Sequence, residues 1–488
     1  MTTSANVGQT GAVRVEQDPL GTLEVPMEAL YGIQTMRALR NFPISGLRPL
    51  EPFVVAHVWI KKAAALVHRA TGRLDAERAR AIVQAADEVL AGEHREHFVV
   101  DPYQAGAGTS HNMNVNEVLA NRANELLGSA RGRYAPVHPN DHVNMAQSTN
   151  DTIPTTIRLA VLRELPKLLT AVEALETAFA ERAVVFDGIV KAGRTHLQDA
   201  MPIRLGQEFS AYAGTIARCR RRITDAATYL EDLGIGGSAV GTGVTVEPDY
   251  PVRMVETLRT LSGLATLRVG NDRIQLMQSM GDAAAFSAAL RGLAIDLSKI
   301  VSDLRLMVSG PRTGLDEIVL PAVQPGSSIM PGKINPSIPE MVNQVCFQVI
   351  GCDLTVTMAA EHGQLELNVM MPVIAHNILL SMQILTGAIT SLTERCVRGI
   401  AANAAMCAYW VERSAALATA LMPQIGYAAA AELAKRSVRD GVLIRELVRR
   451  EGLIPEGEVD AVLDLRRMTE IGVPEGRREA SSGGGPGT

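Results

Sequence analysis

LNVMMPVIAHNILLSMQILTGAITSLT, residues 367–393, contains no Asp, Glu, Lys or Arg. An apolar run of that length is enough to cross a bilayer. It therefore sets two folds against each other, a membrane span and the inner helix of a water-exposed bundle. Asn368, Pro372, His376, Asn377, Gln383 and the hydroxyls of Ser and Thr interrupt the run. Polar groups without partners are costly in lipid, whereas a packed bundle supplies partners for them. The stretch reads as a helix apolar all round, buried in a large bundle or at a subunit interface. No membrane partner is expected.

The neighbouring sequence has the same texture. Helical patterns run from Phe53 to Arg69, from Asp75 to Gly92 and from Thr156 to Val184. In the last, Val161, Leu165, Leu168, Leu169, Val172 and Leu175 fall on one face. Pro166 implies a kink or a helix start nearby. Further long patterns cover 205–232, 276–310, 338–362 and 367–395. Helices this long predict a mainly α fold with an elongated central bundle whose broad apolar faces favour an oligomer. The length of 488 residues suggests about three domains. We place them at 1–148, 149–404 (the bundle) and 405–478 (small and helical), with 479–488 as a disordered tail.

Composition narrows the function. The net charge is −5 and aromatics make up 4% of residues, with no basic stripe interleaved by rings, so nucleic acid is not an expected partner. The five cysteines are scattered and form no CxxC pair, which reads as five core thiols in a reducing cytoplasm. The N-terminal stretch has no apolar h-region, so no export signal is expected.

Four local motifs have both a functional and a structural reading. GIGGSAVGTG (234–243) loosely matches a dinucleotide fingerprint, but it follows a helical pattern ending at Leu233 with no βαβ unit around it. A tightly turning loop is the better reading. HPND (138–141) with His142 lacks the spacing of a tetrahedral metal site, and no metal site is expected. His196 lies in a polar loop at a bundle end, a common place for a site. Glu340 closes Ser337-Ile338-Pro339-Glu340, which reads as a capping box; a carboxylate that orients a histidine is the alternative.

The most informative stretch is GSSIMPGKINP, 326–336. Gly326 and Gly332 permit unusual backbone angles, Pro331 and Pro336 limit them, and a helix follows. A serine hydroxyl is a poor base in water. Lys333, donated backbone N–H groups and the positive end of a helix would stabilise its alkoxide. The residues alone leave open an ordinary Gly/Pro/Ser connector.

This loop resembles the G-S-S-x-M-P-x-K-x-N-P signature of the aspartase/fumarase superfamily, and all eight defined positions fit. GAGTSHNMNVNEVLANRA (106–123), HPNDHVNMAQSTNDTIPT (138–155) and GRTHLQDAMPIRLGQEF (193–209) match in order, and the resemblance covers roughly 13–475. Gly-Thr-Ser at 108–110 and Gln-Ser-Thr-Asn-Asp at 147–151 are similar to the aspartase branch, whereas NVNEVLANRA is shared with fumarases. His111 departs from the pattern.

The resemblance implies a three-domain helical subunit, a homotetramer with a multi-helix core, and active sites drawn from three subunits. It implies reversible deamination of L-aspartate to fumarate and ammonia through an aci-carboxylate. Ser327 would be the base, with Ser328 its nearest competitor. Lys333 and Asn335 would hold a carboxylate, and Thr109, Ser148, Thr149 and Asn150 the rest of the substrate. Thr195 and His196 would complete the site, with Glu340 orienting the His196 ring. No organic cofactor is required, although some relatives respond to divalent cations. A class II fumarase, an amine lyase for a modified aspartate (which His111 keeps open) and a silent scaffold are the alternatives.

Overall fold

The computed structural model describes residues 11–472, so the tail expected at 479–488 lies outside the described residues. A short hairpin opens the chain: β1 (Val13–Asp18) pairs antiparallel with β2 (Gly21–Pro26). The helices α1 (Ile33–Asn41), α2 (Glu51–Ala70), α3 (Ala76–Leu90) and α4 (Thr109–Leu126) follow. Then comes α5 (Thr149–Val185), 37 residues long. A second hairpin, β3 (Val190–Thr195) and β4 (Gln198–Arg204), leads into α6 (Leu205–Ala227). The chain continues through β5 (Asp232–Leu233), α7 (Tyr250–Ser262), β6 (Arg268–Val269), α8 (Gln275–Gln278) and α9 (Gly281–Met307). After β7 (Ile318–Val319) come α10 (Ser337–Glu361) and α11 (Met371–Arg395). The chain ends with β8 (Ala401–Ala402), α12 (Ala404–Arg413), α13 (Met422–Asp440), α14 (Ile444–Glu451) and α15 (Glu456–Val462).

The fold is mainly α, as the apolar periodicity predicts. Compactness divides it into two units, each discontinuous in sequence. The first takes in residues up to 170, 219–295 and 345–387; the second takes in 171–218, 296–344 and 388 onward. Within the first unit, α2, α3 and α4 share a core of Val54, Val58, Ile82, Ala86, Val115 and Leu119. Within the second, α13, α14 and α15 close over Leu433, Leu447, Val448 and Val459. The three-part division at 148/149 and 404/405 remains our proposal.

The opening stretch is α11 and its approach. Among the described residues one helix, Met371–Gly399, is long and apolar enough to cross a membrane, and more than half of its most apolar window is buried inside the protein. Several of its polar groups are satisfied locally. Asn377 Nδ2 donates to Val373 O at 2.8 Å, and the Ser381 and Thr393 hydroxyls donate to Asn377 O and Ile389 O. Asn368, fully buried, donates to Ala359 O and Ala360 O, both at 3.0 Å. Pro372 sits in the first turn, where no N–H is needed.

Two local expectations are corrected. The long helix α5 starts at Thr149 rather than near Pro166, and Pro154 and Pro166 lie inside it. The flanking Leu162 and Leu168 are buried, and that packing holds the helix through the lost backbone bonds. The glycine-rich stretch at 234–243 follows a strand, not a helix. The helix α6 ends at Ala227, and β5 pairs in parallel with β6 over two residues.

Candidate active site

In the first unit the predicted residues cluster at two helix N-termini. Thr109 is exposed and opens α4 behind Gly108, whose φ of 88° only glycine adopts without strain. Ser148, Thr149 and Asn150 are half-buried at the start of α5. A reciprocal cap organises them: Asp151 Oδ1 accepts the Ser148 N–H at 3.0 Å, and Ser148 Oγ accepts the Asn150 N–H at 3.2 Å. The two termini are joined by Asn112, which donates to Thr149 Oγ1 at 3.3 Å. Unpaired N–H groups and the helix dipole make such ends anion sites.

Lys61 lies beneath them, fully buried. Its ammonium donates to Asn112 Oδ1 at 2.8 Å, Asn144 Oδ1 at 2.8 Å and Gln147 Oε1 at 3.0 Å. Burial pulls its pKa down to about 7, while three acceptor oxygens match the three N–H bonds of the protonated form. Asp151, also fully buried, is pushed up to about 6 by burial, against the N–H groups that favour its charge. Its Oδ2 accepts the N–H groups of Gly236 and Ser238, both at 3.0 Å, and Asn150 Nδ2 donates to Ala239 O at 2.8 Å. The glycine-rich loop thus spends its amides on a protein carboxylate, the reverse of a phosphate cradle.

His111 does not face the open side of this cluster. It is fully buried, its ring centred 4.7 Å from that of Phe53 and 5.2 Å from that of His57 at tilted angles, and burial holds its pKa down at about 3. Neither ring nitrogen has a hydrogen-bond partner. His138 and His142 turn their Nδ1 atoms onto backbone N–H groups of their own turn, at Asn140, Asp141 and His138.

The second unit contains the other predicted residues. Thr195 and His196 sit at the exposed tip of the β3–β4 hairpin, and Thr195 pairs with Gln198 across a two-residue turn. His196 and Leu197 both have positive φ, 56° and 59°. That is a strained conformation without glycine, the kind found where function fixes the backbone.

The 326–336 loop is closed at its base. Gly326 N–H donates to Lys333 O at 2.9 Å, and Asn335 Nδ2 donates to Gly326 O at 2.6 Å. A Cβ on Gly326 would collide with the Lys333 carbonyl oxygen. Inside the loop, Ser327 Oγ accepts two backbone N–H groups, from Met330 at 2.9 Å and Ile329 at 3.3 Å. Ser328 is exposed. Lys333 Nζ donates to Asn335 Oδ1 at 2.6 Å rather than to a serine. A recess of about 460 Å³ lies against Gly326, Ser327 and Lys333. At the start of α10 the expected capping box is absent. Glu340 N–H joins the helix ladder at Pro336 O, and Ser337 N–H donates to Asn335 O. The Ser337 hydroxyl turns back to Asn335 O instead of meeting the Glu340 N–H.

Comparison with known proteins gives this geometry a family. The family model described as Lyase matches residues 21–351, and that described as Fumarase C C-terminus matches 417–470. The chain belongs to the aspartase/fumarase superfamily. Every predicted site residue, from Thr109 to Glu340, falls inside the first match. An aspartate ammonia-lyase from a Bacillus species is 48% identical over 94% of this chain and 98% of its own. That of Escherichia coli K12 is 45% identical over 93% and 96%. Among solved structures, a fumarate lyase:delta crystallin from Brucella melitensis bound to cobalt superposes with a TM-score of 0.90. It shares 48% identity and covers 94% of this chain and all of its own. A class II fumarase from Schistosoma mansoni also reaches 0.90, at 34% identity over 94% and 99%.

Sequence reasoning did not single out Lys61, Asn112 and Asp151. Lys61 and Asn112 lie inside helices, and a lysine within the largely apolar VWIKKAAALV was the one visible signal. The five cysteines are free and buried, as expected, and burial pushes Cys346, Cys396 and Cys407 up to about 12.

Proposed function

We propose that the protein is a carbon–nitrogen lyase that converts L-aspartate reversibly to fumarate and ammonia. One observation carries the reading: it is 43–49% identical to aspartate ammonia-lyases along more than nine-tenths of its length. The class II fumarase shares 34%.

In the mechanism, Ser327 Oγ takes a proton from the carbon beside the β-carboxylate. The electrons left behind enter that carboxylate as an aci-carboxylate dianion. They return to form the double bond as the C–N bond breaks on the opposite face and ammonia leaves. The Met330 and Ile329 N–H groups support Ser327 as the base, because two donors stabilise its oxyanion before any substrate arrives. Lys333 and Asn335 would hold one carboxylate. Thr109, Ser148, Thr149 and Asn150, set at helix N-termini over the Lys61 ammonium, would hold the rest of the dianion.

Thr195 and His196 would complete the site from another copy of the chain. Their exposed hairpin tip supports this. Large apolar side chains left exposed on α10, Phe347, Leu354 and Met358, support the homotetramer. We place the enzyme in the cytoplasm and assign it no organic cofactor; assays with and without EDTA test for a divalent activator.

The deciding experiment gives purified protein L-aspartate in one cuvette and L-malate in the other and follows fumarate absorbance. Fumarate with released ammonia from aspartate alone is expected. Fumarate from malate alone would make the enzyme a fumarase.

A further inference from the structure

We propose that Glu317 is a positioning residue that fixes the Thr195–His196 hairpin against the root of the 326–336 loop. Glu317 is fully buried in the second unit. Its Oε1 accepts Arg194 Nη1 at 2.8 Å, and its Oε2 lies 3.0 Å from Lys191 Nζ. Lys191 also reaches Glu208, at 2.9 and 3.1 Å. Both cations sit on β3, on either side of the bulge between Ala192 and Arg194, and Arg194 immediately precedes Thr195. The backbone of Glu317 is held as well. Its N–H donates to Met307 O at the end of α9, and its carbonyl accepts the Asn403 N–H ahead of α12, both at 2.9 Å. The next two residues form β7, paired with β8, and the chain then runs to the 326–336 loop.

One carboxylate therefore joins the hairpin that carries two predicted binding residues to the strand from which the predicted base departs. The strained tip at His196 and Leu197 is closed by the Thr195–Gln198 pair, and the Arg194–Glu317 contact fixes the strand that leads into it. Two cations and two carboxylates, Lys191, Arg194, Glu208 and Glu317, balance in charge. Removing one upsets the geometry of the others. A cluster that served stability alone would affect melting and leave substrate affinity untouched. A positioning cluster affects affinity through His196.

This inference rests on the lyase reading, so wild-type turnover of L-aspartate is measured first; silence there refutes that reading, not this one. The test is Glu317→Gln, which keeps the side-chain shape and removes the charge. In the full-length protein, KM for L-aspartate should rise by about tenfold or more, because small misplacements of binding groups cost on that scale. Placed on His196→Ala, the same substitution should raise KM little further, because its effect passes through the hairpin. If Glu317→Gln fails to fold, Arg194→Lys leaves the Lys191–Glu317 pair in place and takes the same readouts. A KM within twofold of wild type, or penalties that multiply in the double variant, would overturn the proposal.

Discussion

The two halves of the predicted site are built on opposite plans. In the first unit, Ser148, Thr149 and Asn150 rest on a buried polar network of Lys61, Asn112, Asn144, Gln147 and Asp151. In the second, the 326–336 loop is largely exposed and held mainly by its own backbone and by Asn335. In the proposed function the first would be a preformed anion seat, its side chains already tied together without substrate. The second pays little for rearrangement, which would suit the role proposed for it, to admit a charged substrate and then exclude water from a serine. In the proposed site, the buried network would hold one end of the substrate rigidly, and the adaptable loop would bring the base and the Lys333–Asn335 pair to the other.

The largest expected effect tests the second half. Ser327→Ala should lower kcat by at least about a thousandfold, the scale of a positioned general base. The melting temperature should stay within a degree or two, because Ser327 supports only its own loop. Ser328→Ala, at the exposed neighbour, should change kcat by less than about threefold. If the two serines exchanged their effects, the base would be Ser328, and the N–H bonds to Ser327 would be only a turn.

A smaller effect separates loop shape from loop chemistry. Gly326→Ala leaves Ser327, Lys333 and Asn335 in place but drives a methyl group toward the Lys333 carbonyl and the Asn335 N–H. The base of the loop must open to admit it. We expect kcat to fall by about ten- to a hundredfold, with little change in melting, in line with the cost of displacing a catalytic group by an ångström. Unchanged kinetics would mean that the closed base is incidental, and the contrast between the halves would weaken.

The sequence made these two halves unequally legible. The 326–336 loop could be picked out because Ser, Gly, Pro and a single Lys stand apart from helical surroundings. The helices were legible from apolar stripes, and the polar atoms in α11 proved harmless because their partners lie one turn away. Lys61, Asn112 and Glu317 were not legible, and Asp151 only as a local cap on Ser148, because their other side-chain partners lie 32 to 126 residues away. Lys61 pairs with Gln147, Asp151 with Gly236, and Glu317 with Arg194. Periodicity reads neighbours along a chain and is blind to such pairs. The cap read at Glu340 failed in the other direction: the local pattern fits, but Ser337 bonds back to Asn335 O and the Glu340 N–H joins the ladder at Pro336 O.

The smallest effect concerns what the rigid half costs. Burial raises Asp151 from an unfolded value near 3.8 to about 6. Between those values the folded chain holds a proton that the unfolded chain has lost. The stability this provides is fully present below about pH 4 and is lost as pH rises through 6. The gap of two pKa units corresponds to about 3 kcal/mol. Asp151→Asn does not titrate there. The melting temperature of wild type relative to this variant should therefore fall between pH 4 and pH 7. The variant should also bind substrate less well, because its single carbonyl oxygen cannot serve both Ser148 and the Gly236–Ser238 amides. A relative melting temperature that rises over the same range would show that the three N–H bonds and the Lys61 charge outweigh burial. The buried network would then be a source of stability, and the seat would be rigid at no cost to the fold.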